Sequence, residues 1–160
     1  MPLGFACGIA ALALAEPTPA TLSAGAAIAV AGEAIRVWAA GHLEKNREVT
    51  TSGAYRYTRH PLYLGSAIMT LGFAVAANSL LVAAIAAVYL ATTYVSAIRR
   101  EEASLTGRFG AAYPDYKAGR VGGVARHFSA ERALRNREYR AVAGLAAALV
   151  ILALKVWVFR

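Results

Sequence analysis

The chain has 160 residues, 58% of them hydrophobic and 16% charged, with a mean hydropathy of +0.47. A soluble domain of this length carries about a quarter charged residues, so the balance argues against an ordinary soluble enzyme and for a polytopic membrane protein. The formal net charge of +8 does not indicate a nucleic-acid partner, because ten of the 17 Lys and Arg fall in residues 99–140 and four in 43–60, beside apolar runs, which is the positive-inside pattern.

The first apolar run, Leu3–Ala15, is short for a full crossing and stops at Glu16-Pro17-Thr18-Pro19, where the prolines break a helix. Its Ala-Leu-Ala end looks like a signal-peptide terminus. Without a basic leading segment it reads as a retained helix, with a cleaved signal as the alternative. Cys7, in this run, is the single cysteine, which excludes an internal disulfide and a CxxC motif. The second run, Ala20–Gly41, is long enough to cross at roughly 33 Å. It carries Glu33 and Arg36 one turn apart, and ionisable groups inside a span suggest function or mutual pairing.

Residues 43–60 form a polar stretch with a turn or short extended piece at Thr50–Gly53. Pro61 then opens a third helix to Ala77, its missing N–H being harmless at the first helical position. Asn78-Ser79 turns the chain into a fourth helix from Leu80 to about Arg99, making an antiparallel hairpin. In 99–140, Phe109, Tyr113 and Tyr116 recur at four and three residues, as on one face of an interfacial helix. The fifth helix, 141–159, ends at Trp157 and Arg160.

The expected fold is therefore a single all-α membrane domain over 1–160, with helices at about 3–15, 20–41, 61–77, 80–99 and 141–159. The basic loops 43–60 and 99–140 face the cytoplasm, the N-terminus lies inside and the C-terminus outside. The cytoplasmic (inner) membrane is the expected location.

Two polar clusters meet at the inner end of the hairpin. Tyr55-Arg56-Tyr57-Thr58-Arg59-His60-Pro61-Leu62-Tyr63 leads into a helix start, whose free N–H groups favour an anion. Glu101-Glu102 lies at the end of the returning helix, where carboxylates suit a ribose diol, an ammonium or salt bridges to Arg99 and Arg100. No metal is expected, since His42, His60 and His127 show no ligand spacing.

At these residues the chain resembles the isoprenylcysteine carboxyl methyltransferases, relatives of the phospholipid methyltransferases. The resemblance runs from about Ala31 to Val121. It rests on Thr51-Ser52-Gly53-Ala54-Tyr55, Arg59-His60-Pro61-Leu62-Tyr63-Leu64-Gly65, the hairpin, Glu101-Glu102 with Leu105, and Phe109-Gly110 with Tyr113 and Tyr116. It implies binding of S-adenosylmethionine at the cytoplasmic face and methyl transfer to a lipophilic or lipidated acceptor drawn from the membrane lipid. Carried over, Tyr55, His60, Pro61, Leu62, Tyr63 and Glu101 line the cofactor site. Glu48, Val49 and Thr50 contribute backbone groups, and Glu102 completes the acidic pair.

Eukaryotic members resemble one another in an arginine four residues before the first acid, assigned to the substrate; here that position is Ala97. Arg36 and Arg100 are the charges left to meet the acceptor. A carboxylate, such as that of a prenylated cysteine, arrives ionised and needs no base. The alternatives are an amine or phospholipid methyltransferase of the same fold, and a steroid-reductase-like enzyme using NADPH, for which no motif is seen.

Overall fold

The computed structural model describes residues 2–120 and 126–158, and among them it contains helices and no strand. Val121, where the resemblance ends, and Phe159 and Arg160, at the end of the last run, lie outside the described residues. Helix α1 spans Pro2–Leu14 and α2 spans Pro19–Ala40. Thr18 starts α2 with a reciprocal cap, its hydroxyl accepting from Thr21 N at 3.1 Å while Thr21 Oγ1 accepts from Thr18 N at 3.0 Å. A 3₁₀ turn over Gly53–Arg56 follows, made possible by Gly53 at φ +58°, packed against the His42 ring.

Helix α3 (Pro61–Ala77) starts on Pro61 as expected and ends on Asn78, left-handed at φ 49°. Ser79 caps α4, which runs from Leu80 to Phe109. That is some ten residues past the end expected near Arg99. The polar tail of α4 contains no proline, passes through Gly107 and stops at Gly110, whose φ is +55°. The interfacial helix expected to carry Phe109, Tyr113 and Tyr116 on one face is therefore two pieces. Phe109 closes α4, while Tyr113 and Tyr116 belong to the short α5 (Ala112–Lys117). Helices α6 (Ala130–Arg135) and α7 (Tyr139–Val158) complete the chain.

By length and composition α2, α4 and α7 are able to cross a membrane. The apolar α3 has 17 residues and α1 has 13, or roughly 26 and 20 Å at the helical rise. The protein is an all-α membrane protein in which, among the described residues, three helices are long and apolar enough to span and two shorter apolar helices pack on them.

The most extensive packing joins α2 to α3. Gly25 and Gly32 on one helix face Gly72 and Gly65 on the other, each pair seven residues apart and so on one stripe. A Cβ on Gly32 would fall 2.6 Å from both Gly65 O and Met69 N, and one on Gly72 would fall 2.6 Å from Gly25 O. The backbones themselves are in contact. Lipid tails are as apolar as side chains, so close packing of small residues is what holds such helices together.

The two ends of this seam are closed differently. At one end Glu16 N donates to Ala77 O at 2.8 Å and Asn78 Nδ2 to Glu16 O at 3.1 Å. Lys155 Nζ there caps α1, donating to the carbonyls of Leu12, Ala13 and Ala15 at 3.0, 2.9 and 2.6 Å. At the other, polar end, α6 folds over the last carbonyls of α2. Asn136 Nδ2 donates to Ala40 O and Leu43 O, both at 2.9 Å, and Arg132 donates to Gly41 O.

Candidate functional site

The first-turn N–H groups of Leu62 and Tyr63 have no intrahelical acceptor, and His60 supplies no side-chain cap to α3. The imidazole turns instead to α4, its Nε2 lying 3.1 Å from Glu102 Oε1. The other oxygen of Glu102 accepts from Lys117 Nζ at 2.7 Å, and Arg59 Nη1 lies 3.9 Å from Oε1. Glu102 sits beyond the apolar part of α4, out of the membrane span. Its hydrogen bond from Lys117, and secondarily that from His60, hold the carboxyl down at about 2. The acidic pair is thus tied to α5 and α3. The alternative, salt bridges to Arg99 and Arg100, is not seen among the described residues, and Arg100 Nε instead donates to Ser96 O at 3.1 Å. Successive helical residues point about 100° apart, so Arg100 cannot face Glu101, and the Glu102 carboxylate, three residues on from Arg99, is already taken by Lys117 and His60.

That same rotation sends Glu101 a different way from Glu102. Glu101 lines a cavity of about 510 Å³, open at the polar end between α2, α3, α4 and the 3₁₀ turn. Of the residues singled out in the sequence, Arg36, Tyr55, Arg59, His60, Pro61, Leu62, Tyr63, Glu101 and Leu105 all lie on its wall. The others stand elsewhere. Glu102 is behind His60, and Arg100 lies back along its own helix. Glu48 pairs with Arg126 at 2.6 Å, and the buried Thr50 Oγ1 accepts from Glu44 N at 3.1 Å; Val49, between them, is off this wall.

The sequence reading did not single out Leu43, Lys45, Asn46, Ser66 or Ser104, which complete the wall. Ser104 had a signal: it follows Glu101 by three residues, hence on the same face, once α4 is allowed to continue. Lys45, on the loop after α2, had none beyond its charge.

Aromatic side chains fix the floor. Tyr55 is 9% exposed, and its backbone carbonyl accepts from Tyr116 OH at 2.6 Å, which clamps α5 to the 3₁₀ turn. Burial first, and then Glu101, push the Tyr55 phenol well above its ordinary range. Tyr113 is buried at 2% and is pushed up by that burial and by the Glu102 carboxylate. Neither phenol ionises near neutral pH. Tyr63 meets the His60 and Tyr94 rings edge-on, at centroid distances of 5.9 and 5.2 Å.

Arg36 closes the membrane side. Its Nε lies 2.7 Å from Glu138 Oε1 and 3.5 Å from Glu33 Oε2, and its Nη1 donates to the Ser66 hydroxyl. Both carboxylates have side chains only 8% exposed. The pairing of Glu33 with Arg36 was legible from their spacing, whereas Glu138, 102 residues away from Arg36 in sequence, was not.

This arrangement has relatives. A sequence model of the phospholipid methyltransferase family matches residues 28–112, more than half of the chain and the whole of the cavity wall. The cobalt-zinc-cadmium resistance protein CzcN of Cupriavidus metallidurans is 36% identical over 87 residues, covering 53% of this chain and 39% of that protein. The nickel-cobalt-cadmium resistance protein NccN of Alcaligenes xylosoxydans xylosoxydans is 34% identical over 76 residues, covering 46% of this chain and 36% of its own length. The matched region thus spans under two-fifths of either relative. No solved structure matches the chain. The family match covers the α2–α3 seam from Ile28 onward, the 3₁₀ turn, His60–Tyr63 and Glu101-Glu102 together, and on that ground the chain belongs to the phospholipid methyltransferase family.

Proposed function

We propose that the protein is an integral membrane methyltransferase that uses S-adenosylmethionine and methylates a lipophilic acceptor, with its site on the cytoplasmic side. The observation that carries this reading is the single cavity in which an uncapped helix start, Glu101 and Tyr55 converge at the polar end of an apolar bundle. Its volume is within the usual range for small-molecule sites. Its donor set also fits the cofactor: cations and free N–H groups for a carboxylate, a carboxylate for an ammonium or ribose, and aromatic rings for a base.

When bound, S-adenosylmethionine supplies a methyl group on a sulfonium sulfur, activated for in-line displacement. Leu62 and Tyr63 N–H with Arg59 would hold the carboxylate end, and Glu101 would accept from the ammonium or ribose. The protein's contribution is orientation and a fixed electrostatic frame. His60, held by Glu102, is the imidazole on the wall. With Nε2–H donated to Glu102, a neutral ring keeps Nδ1 as an acceptor.

A carboxylate acceptor, such as that of a prenylated cysteine, arrives deprotonated, and Lys45 and Arg59 on the wall are cations able to meet it. One observation favours the second reading, an amine acceptor. Arg36 already faces two carboxylates, so its charge is matched within the protein, and an amine's proton would leave through His60. Fourteen of the 17 Lys and Arg lie in the loops at the site's end of the bundle, which supports a cytoplasmic site.

Calorimetry in detergent tests the cofactor. S-adenosylhomocysteine should bind, and Glu101→Ala should weaken it by about 1–3 kcal/mol, the loss expected for a charged hydrogen bond. No heat from the homocysteine form, with heat from NADPH, would end the methyltransferase reading. Methyl transfer from labelled cofactor to a farnesylated cysteine, run beside phosphatidylethanolamine, then separates carboxylate from amine.

A further inference from the structure

On the side of α2 turned away from α3 lies a second feature with no part in the cofactor cavity. Gly25, Ala29, Gly32 and Arg36 meet α3. Val30, Ala34, Val37 and Trp38, displaced around the helix, instead form one wall of an apolar groove of about 510 Å³. The opposite wall is Val142, Leu145, Ala146 and Leu149 of α7. The groove follows roughly 10–12 Å of each helix, the depth of several acyl carbons. Glu33 lines it while its partner Arg36 lines the cofactor cavity, so the Glu33–Arg36–Glu138 cluster lies between the two.

The groove leads at the polar end of α2 into a notch of about 220 Å³ whose aromatic lining also carries basic side chains. Trp38 belongs to both, and the notch adds Arg56, Tyr57, Arg126 and His127. The junction is aromatic and open. Tyr57 is 82% exposed, Phe128 48% and Trp38 41%, with Trp38 to Tyr57 and His42 to Phe128 ring centroids both at 6.2 Å. Arg126 is matched by Glu48 at 2.6 Å. Arg56 is exposed and has no carboxylate partner among the described residues, which leaves the notch one uncompensated positive charge.

An apolar trough of acyl-chain depth, an aromatic collar where a headgroup would sit, and one unmatched guanidinium above it form an amphipathic pair of sites. We propose that this cleft holds one anionic phosphate-bearing membrane lipid, with a chain along α2 and α7 and its phosphate against Arg56, His127 and the Arg126 N–H groups. It lies outside the site of methyl transfer. The lipid would brace α7 against α2, and through Glu138 it would abut the cluster that positions Arg36.

The chain has two tryptophans, Trp38 and Trp157, so the Trp157→Phe protein reports from Trp38 alone. In phosphatidylcholine vesicles with a rising fraction of acyl-brominated phosphatidylglycerol, Trp38 emission should be quenched beyond random mixing. The expected preference is about fivefold, the scale of one basic residue at a lipid surface. Arg56→Gln should bring the preference close to one. Ala146→Phe, which fills the trough and leaves the charge in place, should lower quenching as well, which diffuse attraction to basic loops would not do. Inorganic phosphate should not relieve the quenching. Quenching that follows mole fraction alone, a preference unchanged by either variant, or release by inorganic phosphate would each overturn the proposal.

Discussion

Along the α2–α3 seam, Gly25, Gly32, Gly65 and Gly72 let two backbones touch, whereas at the polar end Arg36, His60, Glu101, Glu102 and Lys117 reach across gaps with long side chains. The seam depends on what is missing from its residues, so it has one geometry and nothing in it can swing aside. The polar end depends on charges that must be matched, and its parts come from α2, α3, α4, α5 and the segment before α7. The rigid seam fixes where α3 begins relative to Arg36. The ionic end then places His60 and Glu101 around a space that stays open. A site of this kind needs both, since side chains as long as these are defined in position only when their helices are.

The comparison breaks most visibly at Arg36, where the two regions meet. Arg36→Ala leaves Glu33 and Glu138 buried without their cation. Removing one partner of a buried pair costs about 3–5 kcal/mol, so the variant should show a large fall in thermal midpoint in detergent. A second acid-side change, Glu138→Gln made in the Arg36→Ala background, should recover part of that loss. No recovery would show that the cluster is not coupled.

The seam is next. Gly32→Ala places a methyl 2.6 Å from backbone atoms of α3 and should destabilise by about 1–3 kcal/mol, the usual cost of overpacking. Gly144→Ala on α7, where a Cβ would meet nothing within 4 Å, should cost nothing. Equal effects at the two positions would mean that backbone contact along α2–α3 is not what binds the helices.

Smaller effects sharpen the polar side. Tyr116→Phe removes the 2.6 Å hydrogen bond to Tyr55 O and should cost about 0.5–1.5 kcal/mol, seen as faster hydrogen exchange in α5 with the seam unaffected. Glu102 gives a pH signature. Its folded value is lowered from 4.5 to about 2. Its contribution is therefore complete above 4.5, fades as pH falls towards 2, and is absent below that. The stability difference between the protein and its Glu102→Gln variant should be flat from neutral pH to about 5 and shrink under more acid conditions. A difference growing towards acid would reverse the assignment.

The sequence by itself determined what depends on local chemistry. Runs of Ala, Leu and Val with no charge must bury their backbone groups in helices within a bilayer, and Pro61, Asn78 and Ser79 mark helix ends by their own conformational limits. The His60–Tyr63 and Glu101-Glu102 motifs were legible because the hairpin between them is short enough to bring its ends together in only one way.

Tertiary structure alone decided the rest. Nothing local states that α4 should continue to Phe109, and its extension is what lifts Glu102 to Lys117. Gly25, Gly32, Gly65 and Gly72 do show a seven-residue spacing, but glycine spacing acquires meaning only when a partner backbone arrives. Glu138 and Arg56 are ordinary loop charges in the sequence. One is buried against Arg36 and the other is left unmatched above an apolar trough, because electrostatic roles depend on distance through space, and the chain order does not encode that distance.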